Sequence, residues 1–435
     1  MLTLEAIRKN TSSGDRVELF LSGPAAPPQL QAGPIFFELD GVNATDLSVL
    51  DGFVGSIVHC AMAAREPLHV RGRLTRTCLR QLSQYQRFWS LIRPDRYAPV
   101  AITADEVVAD RGDTRDLPAV AAYSGGVDSS FSVVRNKLKL KGMDSIPLEA
   151  VLTVHGFDVL LSDTAGFARR LDRLQPVIEE LGLRRYVVRT NIKELILQDW
   201  LDAYAAQLAA CLHMVCHRHS KALIASDGYA HCPDFEFAGN PITVPLLSTA
   251  RLKVLYEGAE YGRTDKVALL AQYPTVRRSL KFCWEGPDAD RNCGKCRGCI
   301  LTYMNFRAVG IDNPECFDTP VDESIVGNFP TKHLAGLALR YELLEHLWRV
   351  PQLADLTARF AEPIMRFEQE EAQRRSPATE PKGTAQDVLS SEMPVPANAR
   401  DRPYPYPDVP IADHSMNRTP GYLWKLKSYM ARFLK

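Results

Sequence analysis

The strongest constraint on the fold is an alternation of short apolar segments with helical segments in the middle of the chain. The apolar segments predict strands at residues 119–123, 148–154, 185–189 and 222–225. Apolar residues at helical spacing predict the intervening helices, at residues 128–139, 165–181 and 192–216. Strands that alternate with helices pair in parallel and carry helices on both faces. We therefore expect an α/β fold built on a doubly wound parallel sheet.

The length of the chain, 435 residues, predicts more than one domain, because single cores rarely grow past roughly 250 residues. We expect an N-terminal α/β domain of unknown role at residues 1–117, the alternating domain with a cysteine module at 118–310, a helical extension at 311–372, and a linker with a terminal tail at 373–435. The first part carries predicted strands at 17–21 and 35–39 and helices at 54–64 and 79–91. The extension carries predicted helices at 334–348 and 354–372.

A glycine-containing loop joins the first strand of the alternating domain to its helix. It reads Ser124, Gly125, Gly126, Val127, Asp128, Ser129. The two glycines allow a sharp turn that leaves backbone N–H groups directed at the helix N-terminus, where an anion is favoured. The serine hydroxyls add donors, and the Asp128 carboxylate can help to place Mg²⁺ beside a phosphate. The loop predicts a phosphate site, with a plain turn as the alternative; the Gly-x4-Gly-Lys-Ser/Thr loop is absent.

Four cysteines lie close together near the end of this domain. Cys283, Cys293, Cys296 and Cys299 have the spacing C-x9-C-x2-C-x2-C. The short spacings allow the thiolates to converge on one tetrahedral ion, and four sulfur ligands leave no open position for water. We predict a structural Zn²⁺ site, with an iron–sulfur cluster as the main alternative.

The loop resembles the PP-loop of the N-type ATP pyrophosphatases. Together with the cysteine spacing and the following Asn305, Phe306 and Arg307, residues 118–310 resemble 7-cyano-7-deazaguanine synthase and its relatives. The resemblance implies a PP-loop fold of the Rossmann-like HUP class, with ATP, Mg²⁺ and Zn²⁺ as cofactors. It also implies adenylation of a carboxylate, 7-carboxy-7-deazaguanine, with release of pyrophosphate. The free-standing synthase is shorter than this chain, so residues 1–117 and the C-terminal part lie outside the resemblance.

In the activity that the resemblance implies, an amine attacks the acyl-adenylate. Ammonia would give an amide and then a nitrile, whereas synthase-like proteins of bacterial defence systems can join the acid to a protein amine. The implied partners are a small carboxylate of the 7-deazaguanine type and a protein acceptor or neighbouring-gene partner, and a homodimer stays open.

The resemblance also implies roles for individual residues. Ser124 to Ser129 would bind the ATP phosphates, with Asp128 and Ser129 acting in catalysis. Arg263 and Lys266 match the family's basic segment and would neutralise the departing pyrophosphate; plain surface charge is the alternative.

Two further positions follow strands of the predicted sheet at its carboxyl edge, where open α/β folds bind ligands. His155 comes after the second strand, with Asp158 nearby, and either could contact the adenine or the substrate. Ser226 and Asp227 follow the fourth strand. A simple turn is the alternative at both places.

The charge of the chain argues against bulk nucleic acid as the main partner, because 52 basic residues are matched by 52 acidic ones. No apolar stretch predicts a signal peptide or a membrane span, and ten cysteines in a chain this long predict a reduced compartment. We expect a cytoplasmic protein. The competing functions are a PP-loop tRNA thiolase or other sulfur-transfer enzyme, and a scaffold that binds ATP without catalysis.

Overall fold

One mixed β-sheet of ten strands runs through the protein. In a computed structural model, the described residues are 1–12, 14–110, 116–195, 197–227, 237–329 and 334–375. The strands are β1 (Leu2–Asn10), β2 (Gly14–Ser22), β3 (Ile35–Asp40), β4 (Leu68–Thr75), β5 (Ile102–Val108), β6 (Ala119–Ala122), β7 (Leu148–His155), β8 (Arg184–Thr190), β9 (Lys221–Ala225) and β10 (Lys253–Glu257). Their order is β10-β9-β6-β7-β8-β3-β2-β1-β4-β5.

The helices lie between and after these strands in the sequence. They are α1 (Asp51–Val54), α2 (Val58–Ala64), α3 (Arg76–Ile92), α4 (Val127–Lys137), α5 (Thr164–Glu180), α6 (Trp200–His213), α7 (Arg263–Leu270), α8 (Pro274–Ser279), α9 (Arg297–Ala308), α10 (Leu334–Leu347) and α11 (Ala354–Arg375). Met1–Gln373 form one compact unit; of the second unit, Arg374–Lys435, only the first two residues are described. No helix in the described ranges combines the length and apolarity needed to cross a membrane.

The sheet is mostly parallel and has a core on each face. Only β1–β2, β2–β3 and β3–β8 pair antiparallel among the described strands. Neighbouring side chains of a strand point to opposite faces. Val120 of β6 therefore joins a core that includes residues of α2, α3 and α6, while Ala119 and Ala121 join a second core with residues of α4 and α5. The expected α/β class, the mostly parallel sheet and the C-terminal helical region are confirmed.

The parallel half of the sheet has a reversal of strand order beside β6. Strand β7 lies on one side of β6, and β9, much later in the chain, lies on the other. Connections from such neighbouring strands diverge, which leaves a crevice at their carboxyl ends where ligands bind in open α/β sheets. The loop from Ser124 to Ser129 begins at this edge.

The N-terminal residues continue the same sheet. Phe37, Glu38 and Leu39 of β3 pair with Thr190, Arg189 and Val188 of β8. The predicted boundary near residue 117 therefore does not interrupt the sheet, and the structure adds β1, β4 and β5 to the strands predicted in this region.

The predicted helix at residues 192–216 is wrong at its start, because α6 begins at Trp200. The side chain of Asp199 accepts a hydrogen bond from Leu201 N at 2.9 Å and caps the helix at that point.

Candidate functional site

The loop between β6 and α4 is a sharp turn that depends on glycine. Gly125 has φ +77°, and a Cβ there would lie 2.2 Å from Cδ2 of Leu174. The Gly125 carbonyl accepts a hydrogen bond from Lys281 N at 2.8 Å. Another side chain at Gly125 would therefore be strained by its backbone and by its neighbour.

The loop is closed by its own serines. The Ser129 hydroxyl oxygen lies 3.3 Å from Ser124 N, from Ser124 Oγ and from the Gly126 carbonyl, while Gly126 N lies 3.3 Å from Ser124 Oγ. Gly126 is the N-cap of α4, and Val127, its first residue, is buried. The loop is thus pre-formed at the end of a helix whose dipole favours an anion.

Asp128, in the first turn of α4, contacts two cations from α7. Arg263 Nη1 lies 2.6 Å from Oδ2 of Asp128, and Lys266 Nζ lies 3.0 Å from Oδ1. Burial alone would raise the pKa of Asp128, but the charges and hydrogen bonds of Lys266 and Arg263 outweigh it and hold that pKa below its usual value. The carboxylate is therefore ionised near neutral pH.

The two cations are not equivalent. Lys266 is buried, and its ammonium contacts Ser226 O at 2.6 Å and Ser226 Oγ at 3.0 Å as well as Asp128. These three acceptors match the three donors of an ammonium group. Lys266 therefore holds Asp128 against the end of β9, with no donor left over in this arrangement.

Arg263 is the more accessible of the pair. Its side chain is 22% exposed, and besides Asp128 it contacts only Thr302 Oγ1, at 3.4 Å, among the described residues. A planar guanidinium has five donors in a fork that fits phosphate oxygens. Arg263 can thus reach an anion at the sheet edge while staying beside Asp128.

His155 lies outside this group. It is buried, its Nε2 lies 2.9 Å from the Leu160 carbonyl, and its ring stacks on Phe167 with centroids 4.1 Å apart. Burial lowers its pKa, so the ring is neutral at pH 7. A contact from His155 to a cofactor stays a prediction; one of its two ring nitrogens, Nε2, is already bonded to the chain.

Asp158 reaches the loop through Arg170, which the sequence reasoning did not single out. The buried Arg170 guanidinium donates to Ser124 O at 2.9 Å and to Asp158 Oδ2 at 3.2 Å. The signal that could have revealed it is an arginine on the apolar stripe of α5, between Phe167 and Leu174. Arg170 braces the carbonyl at the start of the loop.

The residues after β9 form the opposite wall of the edge. Ser226 is buried and binds Lys266, as described above, while Asp227 accepts hydrogen bonds from the hydroxyls of Tyr204 at 2.6 Å and Tyr256 at 3.1 Å. The described part of the chain ends here at Asp227 and resumes at residue 237.

The four predicted metal ligands converge. All four sulfur atoms of Cys283, Cys293, Cys296 and Cys299 lie within 4.8 Å of one another. The distances are 3.7 Å between Cys283 and Cys296 and 3.8 Å between Cys293 and Cys299. Ligands at about 2.3 Å from a tetrahedral zinc ion are about 3.8 Å apart. The cluster could therefore bind zinc, and it fits one ion better than an iron–sulfur cluster, whose cysteines bind different irons.

Backbone N–H groups support the sulfur atoms. Cys296 N contacts Cys293 Sγ at 3.3 Å, and Cys299 N contacts Cys296 Sγ at 3.4 Å, which also caps α9. Gly286 N contacts Cys283 Sγ at 3.3 Å. Such donors stabilise thiolates and orient them toward an ion.

Lys281 joins the cysteine cluster to the phosphate loop. Its backbone N–H donates to Gly125 O, as noted above, and its buried ammonium donates to the Cys283 carbonyl. Lys281, two residues before the ligand Cys283, therefore contacts the glycine turn through its backbone and the metal-ligand segment through its side chain.

Comparisons of the chain with protein-family models, with curated proteins and with solved structures found no match.

Proposed function

We propose that this chain is an ATP-dependent ligase that forms C–N bonds and releases AMP and pyrophosphate. The observation that carries the proposal is the pre-formed Ser124–Ser129 loop, which opens beside β6 at the reversal of strand order with Asp128 held by Arg263 and Lys266. Helix N-terminus, donors and an ionised carboxylate are the components that phosphate and Mg²⁺ binding need.

The proposed substrate is a small carboxylate, 7-carboxy-7-deazaguanine. A carboxylate resists attack by an amine until one of its oxygens is converted to a good leaving group. Its attack on the α-phosphate of ATP would give an acyl-adenylate and pyrophosphate, and the amine would then displace AMP. Mg²⁺, when bound by Asp128 and phosphate oxygens, would offset the charge that develops on pyrophosphate.

The residues of the site would have different roles according to how accessible they are. The loop N–H groups and serine hydroxyls would bind the pyrophosphate part of ATP. Arg263 would bind the phosphates from its place beside Asp128 as charge builds there, while the buried Lys266 would keep Asp128 in position. The amine stays open between ammonia and a protein amine.

The sulfur-transfer alternative is weaker because it needs reactive cysteines. Five described cysteines lie outside the metal cluster, and burial raises the pKa of each thiol; they are Cys60, Cys78, Cys211, Cys216 and Cys316. Buried thiols with raised pKa values are poor nucleophiles. Cys232 lies outside the described residues.

The test is pyrophosphate release from ATP and Mg²⁺ with 7-carboxy-7-deazaguanine. We expect release that depends on the acid and falls at least about 100-fold in Asp128→Asn, the usual scale for loss of an electrostatic catalytic group. Asp172→Asn, which changes an exposed aspartate on α5, is the matched control and should keep full activity.

The outcomes separate the competing functions. ATP binding without release with any acid would support the scaffold and overturn the ligase. Release with other acids but not this one would keep the ATP chemistry and reject the deazaguanine. Mass spectrometry of the product would identify the amine.

A further inference from the structure

A second group of metal-ligand side chains lies where the C-terminal helical region meets α7. One oxygen each of Asp265 and Glu342 and one ring nitrogen of His346 lie within 4.8 Å of one another. His346 Nε2 is 3.6 Å from Glu342 Oε1 and 3.8 Å from Asp265 Oδ1. Asp265 belongs to α7, while Glu342 and His346 are one turn apart on α10 and so share a face.

We infer that Asp265, Glu342 and His346 form a binding site for a divalent transition-metal ion such as Zn²⁺. Imidazole and carboxylates are established zinc ligands, and ligands at about 2.1 Å from a tetrahedral ion are about 3.4 Å apart. The two measured distances are within a few tenths of an ångström of that value. The site is separate from the cysteine cluster and does not depend on the proposed ligase activity.

The charges of the group also call for a cation. The Glu342 carboxylate is buried, and burial, together with the nearby Asp265, raises its pKa to about 7, so its charged form lacks a counter-ion. No lysine or arginine of the described residues forms an ion pair with Glu342 or Asp265. Arg263, the arginine of α7, is bonded to Asp128. Two carboxylates beside a histidine that faces them are stabilised by a bound ion.

Thr264 fixes the orientation of the buried ligand. Its backbone N–H donates to Glu342 Oε1 at 3.0 Å, and its hydroxyl lies between Glu342 Oε2, at 3.0 Å, and Asn305 Oδ1, at 2.6 Å. A carboxylate held in this way by neighbouring donors presents its remaining lone pairs in a fixed direction, as metal-ligating carboxylates do.

The number of ligands predicts the kind of site. Three protein ligands leave a fourth position, which is characteristic of sites where water or another molecule completes the coordination. The Asp265 side chain is 50% exposed, so solvent reaches this ligand of the group. The ion would fasten α10 to α7, the helix that carries Arg263 and Lys266.

The experiment is a titration of the purified full-length protein with Zn²⁺ by calorimetry after dialysis against a mild chelator. We expect the wild type to bind one equivalent beyond the metal held by the cysteines. Asp265→Asn and His346→Ala should each weaken that binding by at least about ten-fold, because outer contacts of metal ligands alone are worth 10- to 100-fold in affinity. Glu345→Gln, an exposed neighbour on α10, is the matched control.

Thermal unfolding, circular dichroism and a Co²⁺ titration test the same site independently. Zinc should raise the Tm of the wild type and of Glu345→Gln but not of the two ligand variants. Asp265→Asn changes an exposed side chain, so circular dichroism should show it folded. Absence of the extra equivalent in wild type, or undiminished binding by both ligand variants, would overturn the site. So would a Co²⁺ titration in which the extra equivalent produced thiolate charge-transfer absorption, because the cysteines would then be the ligands.

Discussion

Asp128 is held by two cations that differ in burial, and this difference determines how much each cation contributes to the stability of the protein. Lys266 is 2% exposed and bonded to three acceptors, whereas the Arg263 side chain is 22% exposed. Removing one member of a buried ion pair leaves an uncompensated charge, but a partly exposed pair is screened by water.

We predict that Lys266→Met lowers the free energy of unfolding by about 3 to 5 kcal/mol, while Arg263→Met lowers it by about 1 kcal/mol or less. Methionine keeps most of the side-chain volume and removes the charge. Urea unfolding monitored by circular dichroism measures both. The double variant Lys266→Met with Asp128→Asn should recover part of the loss, because the carboxylate that lost its buried partner is then uncharged. Equal losses in the two single variants would contradict the assignment.

Asp128, Arg263 and Lys266 could be selected from the sequence as site residues, but the different roles of the two cations could not. The glycine loop is predicted from its own pattern, and the basic segment from the family resemblance. The role of Lys266 as the residue that positions Asp128 depends on Ser226, which lies 40 positions away in sequence. The pairing of β6 with β9 places the loop of Asp128 beside Ser226, and no local sequence pattern predicts that pairing.

At the scale of elements, the cysteine module and the phosphate loop are joined by hydrogen bonds of one residue, Lys281. Lys281 bonds to Gly125 through its backbone and to Cys283 through its side chain. Because the energy of metal binding is part of the folding energy at a closed site, loss of the ion should loosen the loop as well.

We predict that purified protein carries zinc at the cysteine cluster and that Cys296→Ser loses about one equivalent of it, with a lowered Tm. Cys316→Ser, at a buried cysteine outside the cluster, is the matched control and should keep the metal. Elemental analysis and thermal unfolding measure the two effects. Iron and colour in protein prepared without oxygen would instead assign an iron–sulfur cluster.

A buried histidine joins α2 to α3. The His59 ring lies 5.0 to 5.5 Å from the rings of Tyr85, Trp89 and Tyr97, and neither ring nitrogen has a hydrogen-bond partner among the described residues. Burial lowers the pKa of His59 from 6.5 to about 3. Below pH 6.5 the unfolded chain therefore binds a proton at His59, whereas the folded protein does not until the pH approaches 3. The free energy of unfolding that is present above pH 6.5 is lost progressively as the pH falls toward 3.

We predict that His59→Phe reduces this acid sensitivity. Between pH 7 and pH 5 the wild type should lose about 2 kcal/mol more free energy of unfolding than the variant, from the proton taken up by one unfolded histidine. Phenylalanine fits the aromatic cluster and cannot titrate. Urea unfolding at the two pH values measures the difference, and equal losses in both proteins would show that another group is responsible.

The strands and helices that were predicted correctly are those with a clear apolar period. The strands β6 to β9 and helices α4 and α5 are confirmed on that basis. By contrast, β4 contains arginine and glycine between its apolar residues, and it becomes a strand through its pairing with β1 and β5. Its structure depends on distant partners, so it could not be read from the segment alone.

At the scale of the whole molecule, the ten-stranded sheet joins the N-terminal residues to the strands that carry the proposed ATP site. One core contains residues of β1 to β4 together with Tyr186 and Val188 of β8. An isolated fragment that lacks the first strands would expose these side chains and the free edge of β8.

We predict that residues 118–373 expressed alone form soluble aggregates or precipitate, whereas the full chain gives one cooperative unfolding transition. Size-exclusion chromatography and thermal circular dichroism distinguish the two. Residues 1–117 supplied by co-expression should restore soluble protein. A monomeric fragment with a sharp transition of its own would show that the two regions are independent domains.

The pairing of β3 with β8 also has a consequence for synthesis. Phe36 N bonds to the side chain of Asn191, 155 positions later in the chain. During translation the N-terminal strands leave the ribosome long before β8 exists. The edge of β3 therefore stays uncovered while the ribosome adds that stretch, for about 8 to 30 s at roughly 5 to 20 residues per second. Nascent chains are exposed to pairing with one another in that interval, and slower translation of residues 40–184 would lengthen it.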